Sequence, residues 1–441
     1  MSRRIVVVGG GAAGGTAAQF ARKTDRKAEI TVFEAGAYPQ YSKCALPYLI
    51  SKRVEDVIEF SREWFERANI NLFLETVVKE VDVKGKRVVA EHGGETIEKE
   101  YDSLIIATGA NSVVPPIPGV RSKDGGLAKG VFLLRTLDDA HGISAFLPKV
   151  KHAVIVGAGA IGLEMTEALH ALGVKVTVVE MLPSILPGML DEDMANLLQR
   201  VMPEDVTVFT GRRVTRVERE GDAVKSVVIE DEKGEQQTID ADLVLIATGV
   251  KANVEVAKKI GCRLGDYGGV VVDEGCRTSL KDVYAVGDCT EYFDFVTKKL
   301  FPVGLGSIAV RQGIVAGVNA AGGRMFLPEG FVQTRTTKLF GVEVAAVGPT
   351  ANQVEDFKPV TGRFTGSSLP DYFPGGQDVT VKVIVNPSEG VVIGAQAVGE
   401  NAAQRINTFA CAVMNMMSIE MLSQLETAYA PPVAPTLDPL T

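Results

Sequence analysis

The feature that most constrains the fold of this chain is a pattern that occurs twice. Residues 5–8 form an apolar, largely β-branched run that meets the glycine cluster GGGAAGG, and residues 153–156 meet GAGAIGLE in the same way. A short β-branched run followed by clustered glycines and a helical segment predicts a strand, a tight turn and a helix. The chain is therefore expected to contain two units of the same local fold.

The glycines of both clusters follow the spacing G-x-G-x-x-G. They are Gly9, Gly11 and Gly14 in the first cluster, and Gly157, Gly159 and Gly162 in the second. In such a loop the first glycine makes the turn, the second lets backbone N–H groups approach a pyrophosphate, and the third lets the helix pack closely on the strand. Each repeat thus predicts a dinucleotide site at a helix N-terminus.

Each repeat continues into a second β-rich run that ends in an acid, Glu34 in ITVFEAG and Glu180 in VTVVEM. A carboxylate at this distance from the glycines suits the ribose hydroxyls of a dinucleotide, although a strand-end acid can also be merely solvated. Glu180 is followed by Met181, Leu182 and Pro183, without a basic residue that would receive a 2′-phosphate. We therefore expect NADH to be preferred, with NADPH as the alternative.

Two further segments resemble each other, DSLIIATGA and DLVLIATGV, which contain Thr108, Gly109 and Gly249. Both are apolar strands that end in Ala-Thr-Gly, and we interpret them as crossing points between the nucleotide domains. A last strand, in TSLKDVYAVGDCTE, ends at Asp288, which is either a nucleotide-site residue or part of an ordinary strand and turn. From about residue 331 these motifs cease, and strands such as VTVKVIVN are followed by helices.

Composition narrows the class of protein. A chain of 441 residues is expected to form two to four domains, and a net charge of −9 without a basic stripe argues against nucleic-acid binding. No window of 18 uncharged apolar residues occurs, so we expect a cytoplasmic protein that does not span a membrane. Five scattered cysteines without a C-x-x-C pair predict neither a disulfide framework nor a metal site.

Taken together, these motifs and their order resemble the FAD-dependent pyridine nucleotide-disulfide oxidoreductases over the whole chain. The resemblance implies an α/β fold with two Rossmann-like domains and a C-terminal α+β dimerisation domain. It implies a discontinuous FAD domain (1–115 and 250–330), an NAD(P)H domain (116–249) and a dimerisation domain (331–441). FAD would contact the first glycine loop, Glu34, Lys43, Thr108, Gly109 and Asp288, and NAD(P)H the second loop, Glu180 and Gly249.

Within the family, YSKCALPYLI and ETAYAPPVAPTLDPL resemble the single-cysteine branch. This branch contains the coenzyme A-disulfide reductases, persulfide reductases and NADH oxidase-like enzymes. Relatives with a C-x-x-x-x-C pair have a cysteine where this chain has Leu49, so the chemistry implied here uses only Cys44. Coenzyme A is a candidate substrate or mixed-disulfide partner, but Lys43 occupies the place of an asparagine common in coenzyme A-disulfide reductases.

The sequence also predicts how Cys44 reacts. The stretch ALPYLISKR is expected to begin a helix whose dipole, together with Lys43, lowers the pKa of the thiol. None of the four histidines resembles a catalytic position. The resemblance instead implies that Tyr429 and Tyr372, supplied by the other subunit of a homodimer, are catalytic, although each could be an amphipathic residue at a surface rim.

The implied function is a reductase that passes electrons from NAD(P)H through FAD and Cys44 to a disulfide, persulfide or polysulfide. An NADH oxidase is the alternative enzyme, but the oxidases and peroxidases of this family carry a histidine where the first loop has Ala12 and Ala13. A third alternative is an FAD electron-transfer subunit of a larger complex. The chain leaves no room after residue 441 for an appended sulfur-carrier domain, so we expect a persulfide to reach Cys44 directly.

Overall fold

The computed structural model describes residues 2–441. Within them the chain forms 26 strands and ten α-helices. The strands are β1 (Arg4–Val8), β2 (Glu29–Phe33), β3 (Asn71–Phe73), β4 (Thr76–Asp82), β5 (Arg87–His92), β6 (Glu95–Glu100), β7 (Ser103–Ile106), β8 (Ala110–Ser112), β9 (Val131–Phe132), β10 (His152–Val156), β11 (Lys175–Val179), β12 (Thr207–Phe209), β13 (Arg212–Glu220), β14 (Ala223–Asp231), β15 (Gln236–Asp240), β16 (Leu243–Ile246), β17 (Val250–Ala252), β18 (Val270–Val271), β19 (Val283–Ala285), β20 (Thr290–Phe293), β21 (Leu300–Pro302), β22 (Arg335–Leu339), β23 (Val342–Val347), β24 (Val360–Ser367), β25 (Asp378–Asn386) and β26 (Val391–Gly399). The helices are α1 (Ala12–Thr24), α2 (Leu46–Ile50), α3 (Arg62–Arg67), α4 (Leu137–Phe146), α5 (Ala160–Ala171), α6 (Glu192–Arg200), α7 (Glu255–Lys259), α8 (Gly306–Ala320), α9 (Ala402–Met414) and α10 (Ile419–Ser423).

The repeat in the sequence is a repeat in the fold. The first parallel sheet has the order β3-β2-β1-β7-β19, and the second has β12-β11-β10-β16-β9. In each sheet the strand before the glycine loop is central, and its apolar residues are buried, as expected when helices cover both faces of a parallel sheet. The predicted pair of Rossmann-like units is confirmed.

The two units also share the connection that brings the chain back to the sheet. An antiparallel meander, β4-β5-β6, lies between β3 and β7, and a second meander, β13-β14-β15, lies between β12 and β16. The segments directly after the two Ala-Thr-Gly endings, β8 and β17, pair with each other in an antiparallel ribbon. The chain leaves the first unit and returns to it through this ribbon.

The C-terminal part is a five-stranded antiparallel sheet with the order β22-β23-β26-β25-β24. One face packs against α9, with Val347, Val381 and Phe409 in a shared core. The opposite face joins a core that also contains residues of the second parallel sheet, α5 and α2. The sheet therefore contacts the second nucleotide unit directly, and it confirms the predicted α+β domain at this end of the chain.

Candidate active site

The first glycine loop leads from β1 into α1. Gly9 has φ +106°, and a Cβ there would come within 2.2 Å of the carbonyl oxygen of Ala107, so only glycine fits this turn. Gly11 is the N-cap residue of α1 and provides no side-chain cap, and the space that a Cβ on Gly11 would enter is open. The uncapped N–H groups of α1 therefore face open space, which fits a bound pyrophosphate.

The second loop repeats this geometry before α5. Gly157 has φ +105°, with the carbonyl oxygen of Ala247 2.4 Å from a Cβ position. Gly159 is an N-cap without a side-chain hydrogen bond, and the space beside it is again open. The two loops thus present equivalent anion sites.

The acid of each repeat folds back onto its own loop. Oε2 of Glu34 accepts a hydrogen bond of 2.6 Å from the amide of Gly10, and Oε1 accepts one from Gly36. Glu180 does the same, with 2.7 Å to the amide of Ala158 and 2.8 Å to that of Leu182. An ionised carboxylate has about four lone-pair directions, so each acid can also accept a ribose hydroxyl.

A basic residue that the sequence did not reveal lies close to Glu180. The amide of Arg212, at the start of β13, donates a hydrogen bond of 3.0 Å to the carbonyl oxygen of Glu180. Its guanidinium pairs with Asp231 at 3.7 Å and lies over the ring of Phe209. The three residues that follow Glu180 in the sequence carry no positive charge, but the fold brings Arg212 of β13 beside it.

The Ala-Thr-Gly endings and Asp288 surround the crossing ribbon. The hydroxyl of Thr108 donates to the carbonyl oxygen of Asn253, and the amide of Asn253 donates to Gly109 at 2.9 Å. Gly249 accepts a hydrogen bond of 2.9 Å from the amide of Val113. These contacts place Thr108 and Gly109 beside Asn253, directly after β17, and Gly249 directly before that strand.

Asp288 forms an ion pair with Arg135, a residue that sequence reasoning missed. Nε of Arg135 also donates to the carbonyl oxygen of Ala110 at 3.0 Å, so this side chain connects β8 to the turn that carries Asp288. Only 17% of the Arg135 side chain and 20% of the Asp288 side chain are exposed. Shielding from water strengthens an ion pair of this kind.

Cys44 lies in a short 3-10 turn, Lys43–Ala45, that runs directly into α2. Cys44 is exposed as a residue while its thiol is partly enclosed, and a Cβ built on Gly306 would be 4.0 Å from its Sγ. Gly306 is the first residue of α8, a 15-residue helix. The helix end that faces the sulfur is therefore that of α8, and α2 has only five residues.

The expected lowering of the Cys44 pKa is wrong. Partial burial raises the pKa of the Cys44 thiol, and the negative charges of Glu164 and Asp288 raise it further, although Arg135 acts in the opposite direction. Desolvation and the nearby Arg135 lower the pKa of Lys43 itself, while Glu34 and Asp288 oppose them.

Glu164 is a second residue that sequence reasoning missed. It lies on α5, and its Oε1 accepts a hydrogen bond of 2.8 Å from the hydroxyl of Thr337 on β22. Burial raises the pKa of its carboxyl, whereas the bond from Thr337 lowers it. Because α2 packs against α5, this carboxyl lies near enough to influence the pKa of both Cys44 and Tyr48.

Tyr372 and Tyr429 are adjacent in space although 57 positions separate them in the chain. Their hydroxyl oxygens are 2.7 Å apart, and 71% and 46% of the two residues are exposed. The hydrogen bond to Tyr429 raises the pKa of Tyr372. The structure thus brings the two predicted tyrosines together on the surface of the C-terminal domain.

The other four cysteines differ in their exposure. Cys262, Cys276 and Cys289 are buried, and desolvation raises the pKa of each thiol, whereas Cys411 is exposed on α9. Residues 2–441 contain no group of three or more His, Cys, Asp or Glu side chains that could hold a metal ion. In the same part of the chain, no helix is both long and apolar enough to cross a membrane.

Comparisons with known proteins agree with this geometry. Residues 3–313 match the family described as pyridine nucleotide-disulphide oxidoreductase, and residues 334–440 match its dimerisation domain. An NADH oxidase of Methanocaldococcus jannaschii is 37% identical, over 99% of this chain and 97% of that protein. An NAD(P)H coenzyme A polysulfide/persulfide reductase of Pyrococcus horikoshii is 33% identical, over 100% of this chain and 97% of that protein.

A solved structure gives the same result. The NAD-dependent persulfide reductase from A. fulgidus superposes with a TM-score of 0.92 and 37% identity, over 99% of this chain and 81% of that one. The doubled nucleotide units, the C-terminal sheet and both sequence matches lead to one conclusion. This chain belongs to the pyridine nucleotide-disulphide oxidoreductase family and carries its dimerisation domain.

Proposed function

We propose that this protein is an NADH-dependent flavoprotein reductase that delivers electrons through Cys44 to an oxidised sulfur compound. The observation that carries the proposal is the position of Cys44. Cys44 is an exposed residue whose sulfur lies beside the first turn of α8, within the electrostatic influence of Asp288 and Arg135, and all five cysteines are free. The similarity to the two persulfide reductases named above supports the same class of reaction.

FAD binds to the first unit in this proposal and NADH to the second. The open N-termini of α1 and α5 would hold the two pyrophosphates, and Glu34 and Glu180 would accept ribose hydroxyls. Thr108, Gly109, Lys43 and Asp288 would line the flavin side. When bound, FAD would accept the hydride of NADH and pass its two electrons on to sulfur.

The same assignment divides the chain into domains. The FAD domain would comprise 1–115 and 250–330, the NADH domain 116–249, and the dimerisation domain 331–441. The membership of β19 in the first sheet and the pairing of β8 with β17 support this division.

Cys44 performs the sulfur chemistry. Its thiolate attacks one sulfur of a disulfide R–S–S–R′, so that a Cys44–S–S–R bond forms while the S–S bond of the substrate breaks and R′–S⁻ leaves. Two electrons from NADH then cleave the mixed disulfide, which returns the Cys44 thiolate and releases R–S⁻. Two protons are needed in total, one from the oxidation of NADH and one from solvent.

Tyr372 and Tyr429 would stabilise the departing thiolate from the other subunit of a homodimer. Both are exposed on the domain that mediates dimerisation in this family, and their hydroxyls are already hydrogen-bonded to each other. A phenolic hydroxyl is a hydrogen-bond donor that a thiolate can accept. In this arrangement a monomer would be a poor catalyst.

Several oxidised sulfur compounds are candidate substrates. Coenzyme A disulfide and coenzyme A persulfide are candidates because relatives carry these names, including a coenzyme A disulfide reductase of Staphylococcus haemolyticus that is 27% identical over 98% of this chain and 96% of that protein. Arg22 is an unsuitable phosphate ligand here, since its guanidinium donates to four backbone carbonyls around the ends of α1 and α3.

Stoichiometry under controlled oxygen tests the proposal. The purified holoenzyme is supplied with NADH and, in separate reactions, coenzyme A disulfide, polysulfide or dissolved oxygen. We expect two thiols for each NADH oxidised with the disulfide, sulfide with the polysulfide, and slow oxygen consumption. Oxygen uptake of one-half or one O2 for each NADH oxidised, as expected for reduction to water or to peroxide, without acceleration by either sulfur compound, would identify an oxidase and refute the proposal.

A further inference from the structure

A continuous row of five residues crosses the C-terminal sheet, one from each strand. Strand register pairs them directly, in the order Arg335, Ala346, Gln396, Lys382 and Arg363. Neighbours paired in this way project their side chains to the same face of a sheet. Ala346 packs in the core shared with the second nucleotide unit, so the whole row faces that unit.

The polar members of the row contact one short segment, 188–193, which leads into α6. Nη1 of Arg335 donates to the carbonyl oxygen of Gly188. Nζ of Lys382 lies 2.9 Å from Oδ2 of Asp191 and 2.7 Å from Oδ1 of Asp193. Arg363 also pairs with Asp193, at 3.2 Å. The row therefore holds this segment along its whole length.

Asp191 is the centre of these contacts. It is the N-cap residue of α6, a position where an aspartate usually caps its own helix, yet it makes no such bond. Its amide donates to Gln396 at 2.8 Å, and its carboxylate accepts from Gln396 at 3.0 Å and from the amide of Ala351 at 3.0 Å. All the polar contacts of its side chain, including the pair with Lys382, thus reach the C-terminal domain.

The centre is also shielded from water. Asp191 is 6% exposed, Lys382 7% and Gln396 1%. The pair of Lys382 with Asp191 is held firmly, because removal of the lysine charge leaves Asp191 buried without a cation. Such a contact fixes the distance between the domains more strictly than a surface ion pair does.

The other end of the segment reaches the second glycine loop. The residues between Glu180 and Asp191 run from the end of β11 to α6 and bury Ile185 and Leu186. Leu186 has φ +48°, and its amide donates to the carbonyl oxygen of Ala158 at 2.9 Å. The carboxylate of Glu180 binds the amide of the same Ala158. The N–H and the C=O groups of Ala158 are therefore both hydrogen-bonded to segment 180–191.

We propose that Lys382 and Gln396 are positioning residues for NADH, which act from the dimerisation domain through Asp191 on the second glycine loop. They touch neither coenzyme nor substrate, and their effect passes through the segment 180–191 to Ala158. This inference rests on the proposed function, in that the second loop binds NADH. The dimerisation domain thereby helps to set coenzyme affinity as well as assembly.

The variant Lys382→Met tests the proposal, because methionine keeps the length of the side chain and removes its charge. Gln396→Leu is the milder second variant, since it removes two hydrogen bonds to Asp191 and keeps the ion pair of Asp191 with Lys382. The matched control is Lys299→Met, which breaks an exposed pair with Glu355 of the same 2.9 Å length that includes no residue of the segment. Flavin content and circular dichroism identify the variants that fold.

Binding of NAD⁺ to each oxidised holoenzyme is measured by titration calorimetry, and thiol release is measured after reduction with dithionite. We expect Lys382→Met to weaken NAD⁺ binding about fivefold or more, Gln396→Leu to weaken it less, and Lys299→Met to leave it unchanged. Thiol release should be normal in all three, since that step does not use NADH.

NAD⁺ affinity within twofold of the parent in a folded Lys382→Met or Gln396→Leu protein would overturn the inference. An equal loss of NAD⁺ binding and of thiol release would also overturn it, since that pattern indicates a general structural defect. Failure of the proposed function gives a different result, because the parent protein would then bind no NAD⁺ or release no thiol.

Discussion

The hydroxyl of Thr337 donates a hydrogen bond of 2.8 Å to Oε1 of Glu164 and so connects the dimerisation domain to the helix that follows the second glycine loop. No ion pair within 4 Å neutralises Glu164 among residues 2–441, whereas the neighbouring Glu167 pairs with Arg53. The negative charge of Glu164 disfavours ionisation of Cys44 and raises the pKa of its thiol. The thiolate content of the proposed redox cysteine thus depends on a carboxyl of α5, the helix after the second glycine loop.

Replacement of Glu164 by glutamine should therefore lower the pKa of Cys44. Removal of a nearby negative charge favours the thiolate, so the rate of alkylation by iodoacetamide should rise at a lower pH than in the parent protein. An unchanged or upward shift in Glu164→Gln would contradict this electrostatic coupling.

The tyrosine pair should affect only the sulfur half of the reaction. We expect Tyr372→Phe or Tyr429→Phe to slow thiol release about tenfold or more, because each removes a hydroxyl donor near a developing thiolate. The double variant should be only slightly slower than the worse single variant, since the two hydroxyls are bonded to each other. Stopped-flow reduction of the flavin by NADH should be unchanged.

Tyr267→Phe is the control for this series, since Tyr267 is similarly exposed at 63% but lies outside the C-terminal domain. Equal rates of thiol release in all the tyrosine variants would exclude the proposed role.

Alanine substitutions at two glycines of the first loop should have different effects. A Cβ on Gly14 would lie 1.9 Å from the carbonyl oxygen of Gly9, so Gly14→Ala should destabilise the fold by about 1–3 kcal/mol or more. Gly11→Ala meets no atom within 4 Å and should keep its thermal stability as apoprotein while it loses FAD on dialysis. Retention of FAD by Gly11→Ala would contradict the assignment of this loop. Gly159→Ala serves as the control, since it should retain FAD and weaken only NADH binding.

Coenzyme choice should depend on Glu180. Glu180→Ala removes both the acceptor for a ribose hydroxyl and a charge that repels a 2′-phosphate, so the ratio of kcat/KM for NADH to that for NADPH should fall about tenfold or more. Asp231→Asn in addition should favour NADPH further, because it releases Arg212 from its ion pair. Steady-state kinetics with both coenzymes measure the ratio. An unchanged ratio would exclude Glu180 from coenzyme selection.

The sequence predicted those features that short-range patterns determine. The glycine loops, the strands before them and the acids Glu34 and Glu180 lie within about 30 residues of each other in each repeat, so their geometry follows from local chemistry. The predicted crossing at the two Ala-Thr-Gly endings is also confirmed, since β8 and β17 pair.

The residues that it missed depend on contacts distant in the chain. Glu164 and Glu167 lie three positions apart on α5, between buried neighbours such as Leu163 and Met165, and this pattern normally marks the solvated face of a helix. Only the packing of α2 and β22 against α5 encloses Glu164. The helix α2 begins directly after the turn of Cys44, as predicted, but the second helix end near the sulfur was missed for the same reason, because α8 begins far along the chain at Gly306.

The central claim is that one sulfur, that of Cys44, carries the electrons to the substrate. The most direct test is anaerobic turnover of Cys44→Ser with NADH and coenzyme A disulfide or polysulfide, with Cys411→Ser as the control for an exposed cysteine. We predict that Cys44→Ser retains FAD and flavin reduction by NADH but loses thiol or sulfide production at least about a thousandfold, while Cys411→Ser remains active. Undiminished thiol or sulfide production by Cys44→Ser would contradict the account.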